Sequence, residues 1–213
     1  MLKGQLTVNF FGDPAFLEPT FVLGNLLGIL IGFPLHEYAH GRMAMYLGDD
    51  TPYFQRRLTL DPRSHIEPIG LIFGIIFGFG WTRPTPVNAW NLRPDRKRGM
   101  LMVASAGPLA NFGIAIFWGI ILAIVVNLSF PNFIITTVLW TLRFNLVMCF
   151  YNIVPLHPLD GWQILLSVVN PRQEFELKEY EQYTIYALMI LLLTGILGSF
   201  FSPFIRLFIN FFV

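Results

Sequence analysis

The chain has 213 residues, of which 54% are hydrophobic, 22 are Phe and only 13% are charged, with a mean hydropathy of +0.59. Too little polar surface is available to cover a soluble domain, so the composition describes an integral membrane protein. A net charge of +1 gives no strong bias towards nucleic acid, and the single cysteine, Cys149 in an apolar run, excludes an intramolecular disulfide and a cysteine-based zinc site.

Residues 1–16 lack a long apolar core followed by a small-residue cleavage site, so no removable leader is expected and the first membrane helix itself directs insertion. That helix is predicted over 18–47, with Glu18 and Pro19 as start signals and Gly48-Asp49-Asp50 as a stop. It can cross a hydrocarbon core of ~30 Å and extend beyond it. Residues 21–35 within it carry no charge, and His36-Glu37-Tyr38-Ala39-His40 follows at once. Positions i and i+4 share a helix face, so two imidazoles can grip one zinc ion while the carboxylate between them faces the ion's open position. Polar residues at a helix end facing the loops would give the same spelling, so a third ligand is required.

A polar stretch, 49–67, holds Arg56, Arg57, Arg63 and His65. The apolar run 68–81 (Pro68 to Trp81) is too short for a span, which needs ~20 residues. With Gly70, Gly74, Gly78 and Gly80 it reads as a re-entrant hairpin or a pair of short strands sheltered by protein. It could offer an edge to an extended peptide, or pack as a helix hairpin with glycines at the contacts. Residues 81–88, WTRPTPVN, cannot be helical throughout, and Arg83 is expected to brace this element. The second span is 100–128, with Gly107-Pro108 and Asn111 inside it. After a short uncharged connection the third runs over 133–154, broken by Pro155, Pro158 and Gly161 within PLHPLDGW. A charged stretch, 171–182, precedes a fourth span over 183–212, which Ser202-Pro203 and Arg206 are expected to divide. The fold class is therefore all-α integral membrane, a single polytopic domain of about four long transmembrane helices plus the short 68–81 element.

Nine of the 14 Lys and Arg residues lie between His36 and the second span, Arg172 and Lys178 lie between the third and fourth, and the connection 127–132 has none. Basic connections face the cytoplasm, which puts both termini outside. The first and third spans then run in the same direction, and both His36–His40 and Asp160 arrive towards the cytoplasmic side. Asp160 is the best-placed third ligand, since an ionisable group at membrane depth is costly unless functional. Its alternative is an aspartate in a solvated turn. Asp61 and Glu67 lie in polar loops, and His65 and His157 lack a helically spaced partner and read as loop residues.

Three blocks resemble the site-2 protease family of intramembrane zinc metalloproteases: HEYAH at 36–40, GWTRPTPVN at 80–88 and NIVPLHPLDGW at 152–162. AGPLAN at 106–111 is similar to a further small-residue block of that family. The resemblance implies cleavage of a transmembrane segment in a membrane-anchored protein substrate, one catalytic Zn2+ held by His36, His40 and Asp160, and Glu37 as general base. Asn152 lies eight residues before Asp160, two turns away if the helix persists, and is expected to donate to an oxyanion or to position substrate, or else to form an inter-helix hydrogen bond. Asn111 reads as structural. Gly161 is followed by Trp162 where the family often has a second glycine, and Trp162 is expected to narrow the mouth of the site. No PDZ insertion fits between the ligand helices, so the likeness is to the compact branch. The partners expected are the lipid bilayer and the protein substrate, in a multi-pass cell-membrane setting. A zinc-binding transporter or sensor that cleaves nothing is the alternative, and Glu37 discriminates, because transport needs no base between the ligands.

Overall fold

The computed structural model describes residues 18–213, so the reading of residues 1–16 lies outside the described residues. The protein is all-helical, with no strand among the described residues. Helix α1 (Pro19–Tyr46) begins on the proline, whose fixed φ suits the first helical position. It is followed by Gly48 at φ +100°, a conformation glycine adopts without strain. Single turns α2 (Thr51–Phe54) and α3 (Pro62–His65) follow, then α4 (Pro68–Phe77), in which the Glu67 carboxylate accepts from Gly70 N and Gly78 closes the helix in the left-handed region.

Helix α5 (Arg96–Asn127) starts four residues earlier than its apolar run, because the Asp95 carboxylate accepts from Arg98 N and caps the basic first turn. Helix α6 (Asn132–Asn152) comes next, and α7 (Asp160–Val168), α8 (Pro171–Glu179), α9 (Glu181–Leu193) and α10 (Ile196–Asn210) complete the chain. Three helices, α1, α5 and α6, are long and apolar enough to cross a membrane, and α9 with α10 passes the same test as a pair bent by 65°.

The structure departs from the sequence expectations at three places. The fourth span divides at Thr194-Gly195, where Gly195 adopts φ +70° and ends α9, while Pro203 lies inside α10. The third span ends at Asn152, and turns over 153–159 lead to Asp160 at the start of α7, so no continuous helix links Asn152 to Asp160. The 68–81 element is a helix that doubles back into an extended segment, of which only Ile66 and Thr82 form a β-bridge. Arg83 does not line the cavity and is tied in through its backbone alone: Arg83 N donates to His65 O, and Arg57 Nη2 donates to Arg83 O.

Helix α6 is the centre of the bundle, buried from Thr136 to Leu142 and again from Phe144 to Cys149. One face, with Leu142, Leu146 and Tyr151, packs with Ala115 and Leu122 of α5 and Ile205 and Ile209 of α10. Phe144 and Met148 meet Ile29 and Phe33 of α1. The α1 backbone comes close because Gly24, Gly28 and Gly32 recur every four residues. A Cβ at Gly28 would lie 2.7 Å from the Phe144 ring, and one at Gly24 would run into Trp140. Such small-residue stripes let helices approach where lipid offers no hydrophobic drive to association.

Candidate metal centre

Three side chains from two helices meet at one point. His36 and His40 come from the buried face of α1, and Asp160 opens α7. The Nε2 atoms of His36 and His40 are 3.1 Å apart, and Asp160 Oδ2 and Oδ1 lie 3.2 and 3.3 Å from them in turn. Both imidazoles are committed at the opposite nitrogen. His40 Nδ1 donates to the Val103 carbonyl at 2.7 Å, and His36 Nδ1 lies 2.6 Å from Asn111 Oδ1. A backbone carbonyl only accepts, so His40 carries a proton on Nδ1 and directs its Nε2 inward.

Three atoms that could each ligate a metal are thus turned towards one point, and Asp160 Oδ2 is buried without a hydrogen bond. A carboxylate and two imidazole nitrogens so placed are a donor set that suits a divalent cation. Ligands ~2.0–2.1 Å from a tetrahedral ion lie ~3.3 Å apart, so the observed 3.1–3.3 Å separations fit the edges of such a site. These three residues are the group of His, Cys, Asp and Glu side chains among the described residues that could hold a metal ion. Helix α5 closes the third side: a Cβ at Gly107 would collide with His40 Nε2 and with the His36 ring, so only glycine lets α5 pass beneath the imidazoles.

Glu37 lies beside this point, only 3% exposed, and both carboxylate oxygens are held by the segment after α4. Thr82 Oγ1 donates to Oε1 at 2.5 Å, Thr85 N donates to Oε2 at 2.7 Å, and Thr85 Oγ1 donates to the Glu37 carbonyl. Sequence reasoning passed over both threonines, although they stand inside the GWTRPTPVN block. It also read Asn111 as structural, whereas Asn111 touches His36.

A cavity of about 750 Å³ reaches the three ligand residues, Glu37 and Asn152, and extends to Arg96, Lys97 and Lys178. Asn152 is on its wall, and its Nδ2 donates within its own helix to Met148 O rather than between helices. Trp162 does not line the cavity. It is 2% exposed, and its Nε1 donates to Glu181 Oε2, tying α7 to α9, so it does not narrow the mouth. His65 points its Nε2 to the Thr59 carbonyl and His157 pairs with Glu181, so neither joins the ligand group. Asp61 and Glu67 cap α3 and α4. Cys149 is buried, as a small apolar residue would be.

The chain is 34% identical over 199 residues to the candidate zinc metalloprotease YwhC of Bacillus subtilis, a match covering 90% of this chain and 88% of that protein. It is 28% identical over 187 residues to the candidate zinc metalloprotease Rip2 of Mycobacterium tuberculosis, covering 83% and 69%. It is 26% identical over 198 residues to the Rip2 protein of Mycolicibacterium smegmatis, covering 87% and 73%. No family model matches the chain, and no solved structure matches it.

Proposed function

Because the chain belongs to the zinc metalloprotease family that includes YwhC and Rip2, we propose that it is an intramembrane endopeptidase of the site-2 type, which hydrolyses a peptide bond in a transmembrane segment of a membrane-anchored protein. One observation carries this reading: two imidazoles, a carboxylate and a clamped glutamate converge on a cavity among membrane-spanning helices. His36, His40 and Asp160 would hold one zinc ion. When bound, zinc supplies a Lewis acid that brings the pKa of a water down to ~7 and polarises a carbonyl.

The remaining steps belong to side chains of this protein. Glu37 accepts the proton of the attacking water and returns it to the departing amine, which a carboxylate fixed at both oxygens can do without reorienting. Asn152 Nδ2 keeps one hydrogen after donating to Met148 O, and from the cavity wall it binds the developing oxyanion or the substrate strand. Arg96, Lys97 and Lys178 make one end of the cavity polar, which gives water a path to a site otherwise enclosed by apolar helices. That end lies on the basic side of the chain, so the active site faces the cytoplasm, both termini face outward, and the setting is the cell membrane.

A substrate helix hides its carbonyls in internal hydrogen bonds and must unwind locally before it can be cut. The extended segment after Gly80 is the natural edge for it to join, since Thr82 and Thr85 bring that edge against the base. A transporter or sensor has no use for a base held in this manner and is the weaker reading.

The protein reconstituted in lipid vesicles with a fluorescent transmembrane reporter tests the assignment. Glu37→Gln is expected to keep one zinc per chain and to lose cleavage by about 10²–10⁴-fold. Unchanged cleavage would remove Glu37 as the base. Zinc binding by the wild-type chain without cleavage of any transmembrane reporter would turn the reading to transport or sensing.

A further inference from the structure

His36 is held by a chain of amides that runs in one direction. Asn145 Nδ2 donates to the Thr141 carbonyl at 2.9 Å, Asn111 Nδ2 donates to Asn145 Oδ1 at 3.1 Å, and Asn111 Oδ1 faces His36 Nδ1 at 2.6 Å. Thr141, Asn145 and Asn111 are fully buried, and His36 is 4% exposed. The far end decides the direction: the Thr141 carbonyl can only accept, so Asn145 must offer its nitrogen there and its oxygen to Asn111. Asn111 must then offer its nitrogen to Asn145 and its oxygen to His36. Reversing either amide would set two buried acceptors face to face, a heavy penalty in a medium of low dielectric.

We propose that Asn111 and Asn145 are positioning residues which fix His36 as the Nδ1–H tautomer and so leave its Nε2 lone pair free for the metal. This rests on the zinc site put forward above. The two ligand histidines therefore get their tautomers by different means: His40 from a backbone carbonyl, His36 from a side-chain relay that reaches α6. Thr141 Oγ1, at the relay's base, shares its one proton between the Thr137 carbonyl of its own helix at 2.9 Å and the Gly24 carbonyl of α1 at 3.1 Å. Gly32 of α1 leaves the relay room, since a Cβ there would fall 2.5 Å from Asn145 Oδ1 and 3.3 Å from Asn111 Nδ2.

The zinc dissociation constant of the full chain in lipid nanodiscs, measured by competition with a chelator of known affinity, tests the relay. Asn111→Leu and Asn145→Leu are each expected to weaken zinc binding by about 10–100-fold, the usual range for partners of a metal-ligating histidine. Asn111→Asp supplies an acceptor in either orientation and should recover most of the loss. On that background Asn145→Leu should cause no further weakening, since an aspartate needs no neighbour to orient it. Wild-type affinity in Asn111→Leu, equally poor binding by Asn111→Asp and Asn111→Leu, or the same loss from Asn145→Leu on both backgrounds would each overturn the relay. If Asn145→Leu fails to fold, the comparison of Asn111→Asp with Asn111→Leu decides alone. Absence of zinc from the wild-type chain would refute the metal site instead. The relay is then judged in the zinc-free chain by 15N NMR, which must find the His36 proton on Nδ1 and in Asn145→Leu must find it displaced.

Discussion

At Glu37 the two hydrogen bonds from Thr82 and Thr85 do for the proposed base what the proposed amide relay does for His36. A hydrogen bond to a charged group is worth about 1.5–3 kcal/mol, so Thr82→Val is expected to lower kcat by about 10–100-fold with zinc content unchanged. Wild-type turnover in Thr82→Val would mean that the bond holds the segment rather than the base. His36, His40 and Asp160 were legible as candidate ligands in the sequence because their chemistry is rare at membrane depth. The threonines were not: Thr82 acts on a residue 45 positions away, through a turn that only the tertiary structure supplies. Asn145 was invisible for the same reason, although its spacing of four from Thr141 already put both polar groups on one face of an apolar helix. The condition that would put Asn152 and Asp160 two turns apart on one helix is not met: α6 ends at Asn152, close to the break expected at Pro155, whose ring and missing N–H cannot continue a helix.

Among the elements, the long spans follow from hydropathy alone, whereas the single turns α2 and α3 arise where a preceding aspartate is followed by a proline-containing turn too short to carry any periodic signal. The break in the fourth span reads from sequence at Ser202-Pro203 but falls at Gly195, because a residue at φ +70° ends a helix outright while α10 continues through its proline. Glycines distinguish close approach from open surface. Gly28→Ile would drive a branched side chain into Phe144 and is expected to lower stability by about 1–3 kcal/mol or more, read as a thermal shift in detergent. A Cβ added at Gly113 would meet nothing within 4 Å, and Gly113→Ala should raise stability by up to about 1 kcal/mol through helix propensity. Equal shifts would show that the α1–α6 approach contributes nothing.

Helix α8 adds a pH dependence. Burial by itself would raise the Glu174 carboxyl, but hydrogen bonds from Lys178, Lys97 and Arg96 outweigh it and pull the group from 4.5 to about 2. A carboxylate depressed in the folded state stabilises it above pH 4.5 and loses that contribution as pH falls towards 2. Wild-type protein should therefore lose stability over that interval, and Glu174→Gln, less stable at neutral pH, should lose less. Parallel pH curves for the two would contradict the linkage.

For the molecule as a whole, the proposed topology puts the metal site towards the cytoplasmic side of the bundle. Exposed cysteines test the orientation, since native Cys149 is buried. In intact cells Ser129→Cys, between α5 and α6, should react with a membrane-impermeant maleimide, and Glu179→Cys, at the end of α8, should react only after the membrane is opened. The reverse pattern would put the active site outside. The most direct measurement is anomalous diffraction at the zinc edge from crystals of the purified chain. One peak per chain is expected, ~2.0–2.2 Å from His36 Nε2, His40 Nε2 and an Asp160 carboxylate oxygen, with no such peak in Asp160→Ala. A peak elsewhere, or an undiminished peak without Asp160, would contradict the three-ligand site.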